Sequence, residues 1–262
     1  MIQPRRLAIE VAYAGHAFYG FQRQPGFATV QGELEQAWMA VSAEQVTMIG
    51  SGRTDTGVHA RAQVVHFDTW SQLPAIRVRN ALNAYLPDDI AVRRVAEVDA
   101  NFHANGSACG KRYVYLLAVS ETRPVLSAGQ VAWERRAGLD LNAMREAVPQ
   151  LLGRHDFSAY AAAGRTTTDD VRTLQAIHIH TMRGGFHFTF QGNGFLYKMV
   201  RNLVGGLIEV GRGRRPPLWM GEVLASRDRS QGAATAHPEG LYLWRVLYPT
   251  PIFDRNSPLK AE

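Results

Sequence analysis

The chain has 262 residues, 46% of them hydrophobic and 20% charged, and its 29 Lys and Arg exceed 23 Asp and Glu to leave a formal charge of +6. That length and apolar content suffice for the core of one large domain or two ordinary ones, and the basic surplus favours a polyanionic partner. The single cysteine, Cys109, excludes an internal disulfide and a multi-cysteine zinc site, and no stretch approaches the roughly 18 uninterrupted apolar residues of a membrane helix.

The opening segment MIQPRRLAIEVAYAG has two arginines but no apolar run of the kind a signal peptide needs. With one cysteine, this points to a reducing, cytoplasmic setting and to no membrane partner. Its second part, RRLAIEVAYAG, alternates as a strand does. The following TVQGELEQAWMAVSA places Val30, Leu34, Ala37, Trp38 and Val41 on one helical face, with Thr29 as the cap. Short strands are expected at VTMIG and RAQVVHFD, a helix over LPAIRVRNALNAYL and a strand at IAVRRVAEV. A glycine-containing joint, HANGSACG, follows.

Beyond the joint the grammar returns. KRYVYLLAVS reads as a strand, LDLNAMREAVPQLLG as a helix, LQAIHIHTM and GFHFTFQG as strands, GFLYKMVRNLVGGLIEVG as a helix and GLYLWRVLY as the last strand, with a further helix at PPLWMGEVLASRD. Two split strand-helix-strand units of the ferredoxin-like kind are therefore expected. The fold class is α+β: a mixed, mostly antiparallel sheet with helices on one face and a central cleft. Residues 1–105 form the half carrying an aspartate loop, and residues 106–262 the half that completes the cleft. The nine histidines offer no metal-ligand spacing; His178 and His180 share a strand face without a third ligand at a recognisable offset.

The aspartate loop is GSGRTDTGVHA, residues 50–60. It contains the Asp-Thr-Gly of acid proteases, and glycines at 50, 52 and 57 free its backbone for a shaped turn. A plain hairpin connection would need fewer Arg, Thr, Asp and His residues. A protease would need two aspartates sharing a proton; the chain has one Asp-Thr-Gly, and Asp169 and Asp170 lack the glycine. Arg53, two residues before Asp55, favours a charged carboxylate, opposite to what such a dyad wants. A charged aspartate beside an arginine suits nucleophilic attack on a sugar or base carbon.

This loop resembles the catalytic loop of tRNA pseudouridine synthases. The resemblance extends to AYAGHAFYGFQRQPGFATVQGELEQA, NFHANGSACGKRYVY, GNGFLYKMVRNLVGGLIEVG and HPEGLYL, in that order along the chain. It implies isomerisation of uridine to pseudouridine in the anticodon stem-loop of tRNA, at positions 38 to 40, by a homodimer with no cofactor and no metal. By position, Asp55 would be the nucleophile, attacking either the ribose or the base. Arg53 would take the place of the flipped-out base, Tyr113 would stack on the target uracil, Arg201 would orient Asp55 through a bidentate pair, and Leu241 would floor the base pocket. Candidate phosphate contacts are Arg23, Arg61, Arg77, Arg79, Lys111, Arg112, Arg165 and Arg172. The chain departs from the family pattern at Thr56, where alanine is common, at Asn105-Gly106, where an Arg-aromatic pair is commoner, and at His237.

Overall fold

Period-two burial builds the first strand. In β1 (Arg5–Tyr13) the side chains of Leu7, Ile9, Val11 and Tyr13 turn inward together. The computed structural model describes residues 3–135, 138–164 and 169–253, and within it the chain divides into two compact units. The first runs to Cys109 and resumes at Leu243; the second is Gly110–Tyr242.

In the first unit β1 leads through a loop to α1 (Val30–Ser42), then to β2 (Ile49–Gly50), β3 (His59–Thr69), α2 (Ala75–Tyr85) and β4 (Ile90–Val98). Thr29 caps α1, its side chain accepting from the Gly32 N–H, and Val30, Leu34, Ala37 and Trp38 are buried while Val41 is only half so. β1 pairs antiparallel with β3 on one side and β4 on the other, and β2 is a two-residue antiparallel addition to β3. The expected strand over residues 46–50 is thus limited to Ile49–Gly50. Trp38 packs edge-on against Phe67 at 5.2 Å, joining α1 to β3, and Val78 and Leu82 of α2 complete the core.

The second unit contains β5 (Gly110–Val119), β6 (Ala132–Glu134), α3 (Leu141–Ala147), β7 (Gly153–Asp156), β8 (Val171–Met182), β9 (Gly185–Gly192), α4 (Met199–Gly211) and α5 (Trp219–Ser226). Strand order is β5-β9-β8-β7, all antiparallel, with β6 added to β5 in parallel. The architecture is α+β with mostly antiparallel pairing. The helix expected over 139–153 ends at Ala147 and continues as a 3₁₀ turn, Val148–Leu151, because Pro149 has no N–H to donate. The helix expected from residue 194 begins only at Met199, after Lys198 takes a left-handed φ of 58°. α4 is buried nearly all round, as its apolar composition requires; Leu203, Val204, Leu207 and Val210 have no exposed surface.

The last strand, β10 (Leu241–Leu247), starts at the end of the second unit and belongs from Leu243 onward to the first, where it lies beside β3. Among the described residues no helix is long and apolar enough to cross a membrane.

Candidate active site

The Asp55 loop joins β2 to β3 in the first unit, and its two ends are pinned from below by buried side chains. Ser51 has no exposed surface, and its hydroxyl donates to Gln63 Oε1 at 2.6 Å; Gln63 returns a bond from Nε2 to the Gly52 carbonyl at 2.8 Å. The Tyr13 and Thr54 hydroxyls lie 2.8 Å apart and bond to each other. Burial pushes the Tyr13 phenol up to about 12, against the opposing effect of hydrogen bonds from Thr54 and Gln63. At pH 7 the phenol is therefore neutral.

A second clamp comes from the loop after β1. Phe21 N–H donates to the Thr54 carbonyl at 3.1 Å and Gly57 N–H to the Gly15 carbonyl at 3.2 Å, while Gly15 N–H donates to His59 Nδ1 at 3.0 Å. Two glycines make this contact possible. A Cβ on Gly15 would collide with the Val58 carbonyl, and one on Gly20, whose φ is 82°, would sit 2.7 Å from the Thr54 carbonyl oxygen. Backbone therefore lies directly on backbone around the aspartate.

Asp55 itself opens a turn closed by Val58 N–H donating to the Asp55 carbonyl at 3.0 Å. Gly57 supplies the positive φ, 79°, that the third place of such a turn needs. Thr56 is exposed, Asp55 half-buried and Arg53 exposed. The carboxylate is thus carried on a backbone fixed at both ends, with solvent access for a reactant. The residues under it, Tyr13 and Gln63, escaped sequence reasoning, because they come from β1 and β3 and carry no motif of their own.

The second unit holds the other three site candidates. Tyr113, in β5 opposite Phe190, is mostly buried and meets Phe195 edge-on at 5.0 Å. Tyr115 is fixed through its hydroxyl, which donates to the His237 carbonyl at 3.0 Å. Arg201 lies in the first turn of α4, half-buried, and its Nε–H donates to the Ala236 carbonyl at 2.7 Å while Ala236 N–H donates to the Arg201 carbonyl at 3.1 Å. Beneath it Asn202 bonds the Tyr160 carbonyl at 2.7 Å and accepts from Arg229 and Thr235. This network fastens the segment 229–236 to α4. Gly205 makes room for it, since a Cβ there would collide with the Ala234 carbonyl. Leu241 is buried at the start of β10.

Of the basic residues, Arg112 bonds Gln191 at 2.7 Å and Arg172 bonds the carbonyls of Asp169 and Val171. Burial, then the charge of Arg172, draws Lys111 down to about 8, so an anion placed beside it would strengthen its charge. Arg165 lies outside the described residues. His178 and His180 stack 6.2 Å apart, and the described residues hold no group of three or more potential metal ligands.

Comparison with known proteins brings most of the chain into register with one family. A family model for tRNA pseudouridine synthase matches residues 9–105 and 147–249. A protein of Brevibacillus brevis named tRNA pseudouridine synthase A is 44% identical over 246 residues, 93% of this chain and 100% of its own. Proteins of the same name from Thiobacillus denitrificans and Geobacillus kaustophilus are 43% and 44% identical over 93% of this chain each, covering 94% and 95% of their own lengths.

Proposed function

We propose, for a chain that belongs to the tRNA pseudouridine synthase family, that Asp55 is the nucleophile with which it isomerises uridine to pseudouridine in tRNA. The reaction breaks the bond between base nitrogen N1 and ribose C1′ and forms one between C5 and C1′. N1 gains a proton and C5 loses one, so no atom is gained or lost overall and no oxidant or energy source is consumed. Attack by the carboxylate on the ribose or on the base gives a covalent intermediate, and its collapse restores Asp55.

The observation that supports this reading is the support of the Asp55 turn by two glycine contacts and two buried polar pairs. A nucleophile gains most from being held in one attack geometry. Arg53, exposed two residues away, is the side chain we assign to the space left by the extruded uracil: it is planar, cationic and free of a buried role. Tyr113, Arg201 and Leu241 are the substrate-binding residues we assign to the second unit. At 201 an arginine suits this assignment better than a lysine, because its planar fork can hold the Ala236 carbonyl through Nε and present further donors. By the family resemblance, the substrate region is the anticodon stem-loop, with positions 38 to 40 as targets. The working form is then a homodimer in the cytoplasm without cofactor; sedimentation of the purified chain tests the dimer.

The deciding experiment incubates the chain alone with tRNA transcripts carrying uridine tritiated at C5 and counts tritium released to water. Wild-type chain releases it, and transcripts with uridine replaced at 38, 39 or 40 report which positions contribute. Asp55→Asn, which keeps the shape and removes the charge, abolishes release while tRNA binding persists. Full release by that variant would remove Asp55 from the mechanism.

A further inference from the structure

The loop that clamps the Asp55 turn also carries an open aromatic surface. Tyr19 and Phe27 stack with ring centroids 4.2 Å apart and planes at 30°, yet they remain 52% and 49% exposed. Single exposed aromatics are ordinary, but two that stack on one another and still face solvent form a patch with a shape.

That patch is rigid. Tyr19 N–H donates to the Ala28 carbonyl at 2.8 Å and Phe27 N–H to the Gln24 carbonyl at 3.3 Å, and Gln24 Nε2 reaches back to the Tyr19 carbonyl at 3.2 Å. Gly26, at φ 79°, closes the turn between them. Arg23 ties the loop to α1: its N–H donates to Gln31 Oε1 at 2.9 Å and its guanidinium lies 3.1 Å from Glu35, while 62% of its side chain stays exposed. An open cavity of about 470 Å³, lined in part by Arg23, Gln24, Phe27 and Thr29, adjoins the Phe27 ring. Tyr19 precedes Gly20, the residue resting on the Thr54 carbonyl, so the rings stand at a fixed offset from Asp55.

Resting on the reading of the chain as a tRNA isomerase that works through Asp55, we propose that Tyr19 and Phe27 form a stacking platform for an unpaired base of the tRNA, with Arg23 meeting the phosphate next to it. The anticodon stem-loop assigned above ends in a loop whose bases have no pairing partner, and such bases stack on aromatic side chains. An aromatic face beside a cation is the surface that receives such a base whatever its identity, because every base has a π face and a charged backbone. Tyrosine and phenylalanine lose little side-chain freedom on contact, and here the loop is already ordered. The basic balance of the chain favours a polyanionic partner for this surface over a protein.

The test compares tRNA binding, over a range of salt, by the wild-type chain, Tyr19→Ser/Phe27→Ser, Tyr19→Phe and Arg23→Gln. The double variant is expected to bind roughly tenfold to a hundredfold more weakly, with an unchanged slope of log affinity against log salt, since no charge is removed. Tyr19→Phe keeps the face and retains affinity, and Arg23→Gln flattens the slope by about one phosphate contact. If the double variant loses its fold, Tyr19→Leu and Phe27→Leu keep apolar bulk without a π face and carry the same expectation at smaller size. Wild-type chain that releases tritium while a folded double variant binds tRNA as tightly as it does would overturn the platform alone. A change in sedimentation mass of the double variant with tRNA affinity intact would overturn it too, assigning the rings to contact between copies of the chain. Wild-type chain that neither releases tritium nor binds tRNA would overturn the underlying reading and the platform together.

Discussion

Glycine at position 20 has a φ of 82° and a backbone carbonyl 2.7 Å from where a methyl group would be. Gly20→Ala would add left-handed strain of about 1–3 kcal/mol and push the Thr54 carbonyl, and with it Asp55, off its seat. On the role proposed for Asp55, a displacement of roughly 1 Å can cost on the order of a hundredfold in rate. The expected outcome is a tritium-release rate down roughly tenfold to a hundredfold in protein that still melts cooperatively; a less stable variant with an undiminished rate would show that the contact serves folding only. At this scale the sequence was legible where chemistry is local. Asp55, Arg53 and the loop glycines could be read from eleven consecutive residues, whereas Tyr13 lies 41 residues from the Thr54 it bonds and Gln63 twelve from Ser51. Nothing in a linear pattern links such partners. Asp-Thr-Gly itself misleads because the tripeptide reports a turn with a left-handed third place, which several chemistries can use.

Among elements, those with an unbroken period were legible: β4 spans residues 90–98 as expected, and α1 differs by one residue at each end. The failures have local causes. Lys198 and Pro149 interrupt helices whose apolar periodicity runs on through them, and β6 and β7, three and four residues long, are too short to show a period. A pH effect belongs at this scale, where the segment after β4 docks on β3. Ala104 N–H donates to His66 Nδ1 at 3.1 Å, and the Tyr248 hydroxyl donates to the Ala104 carbonyl at 2.6 Å. An acceptor nitrogen requires a neutral ring. Burial foremost, then the charges of His103 and Arg6, lowers His66 to about 4, with Asp68 and a bond to the Ile49 backbone carbonyl opposing. Because the unfolded chain takes up that proton near pH 6.5, the contribution is complete above 6.5 and is lost as pH falls toward 4. Melting temperature should therefore drop across that window, and His66→Asn, an acceptor that does not titrate, should flatten the drop; an equal drop in the variant would place the titration elsewhere.

For the molecule as a whole, the surplus of 29 basic over 23 acidic residues predicts that tRNA affinity falls roughly tenfold to a hundredfold between about 50 and 200 mM salt, linearly in log-log form. A flat response in filter binding would mean that the charge does not serve the RNA. The two-unit division was harder to see in advance in one respect: the final strand reads as any strand, and only tertiary contact sends residues from Leu243 onward back to the first unit. That return sets a schedule for the ribosome. All of Gly110–Tyr242 must be polymerised before β3 receives its last neighbour, and at about 5–20 residues per second the wait is on the order of ten seconds. During it the nascent chain holds an open strand edge on β3, the strand that begins where the Asp55 loop ends. The second unit is continuous in sequence and can mature first, so the unit that carries the Asp55 loop is the last to receive all of its strands.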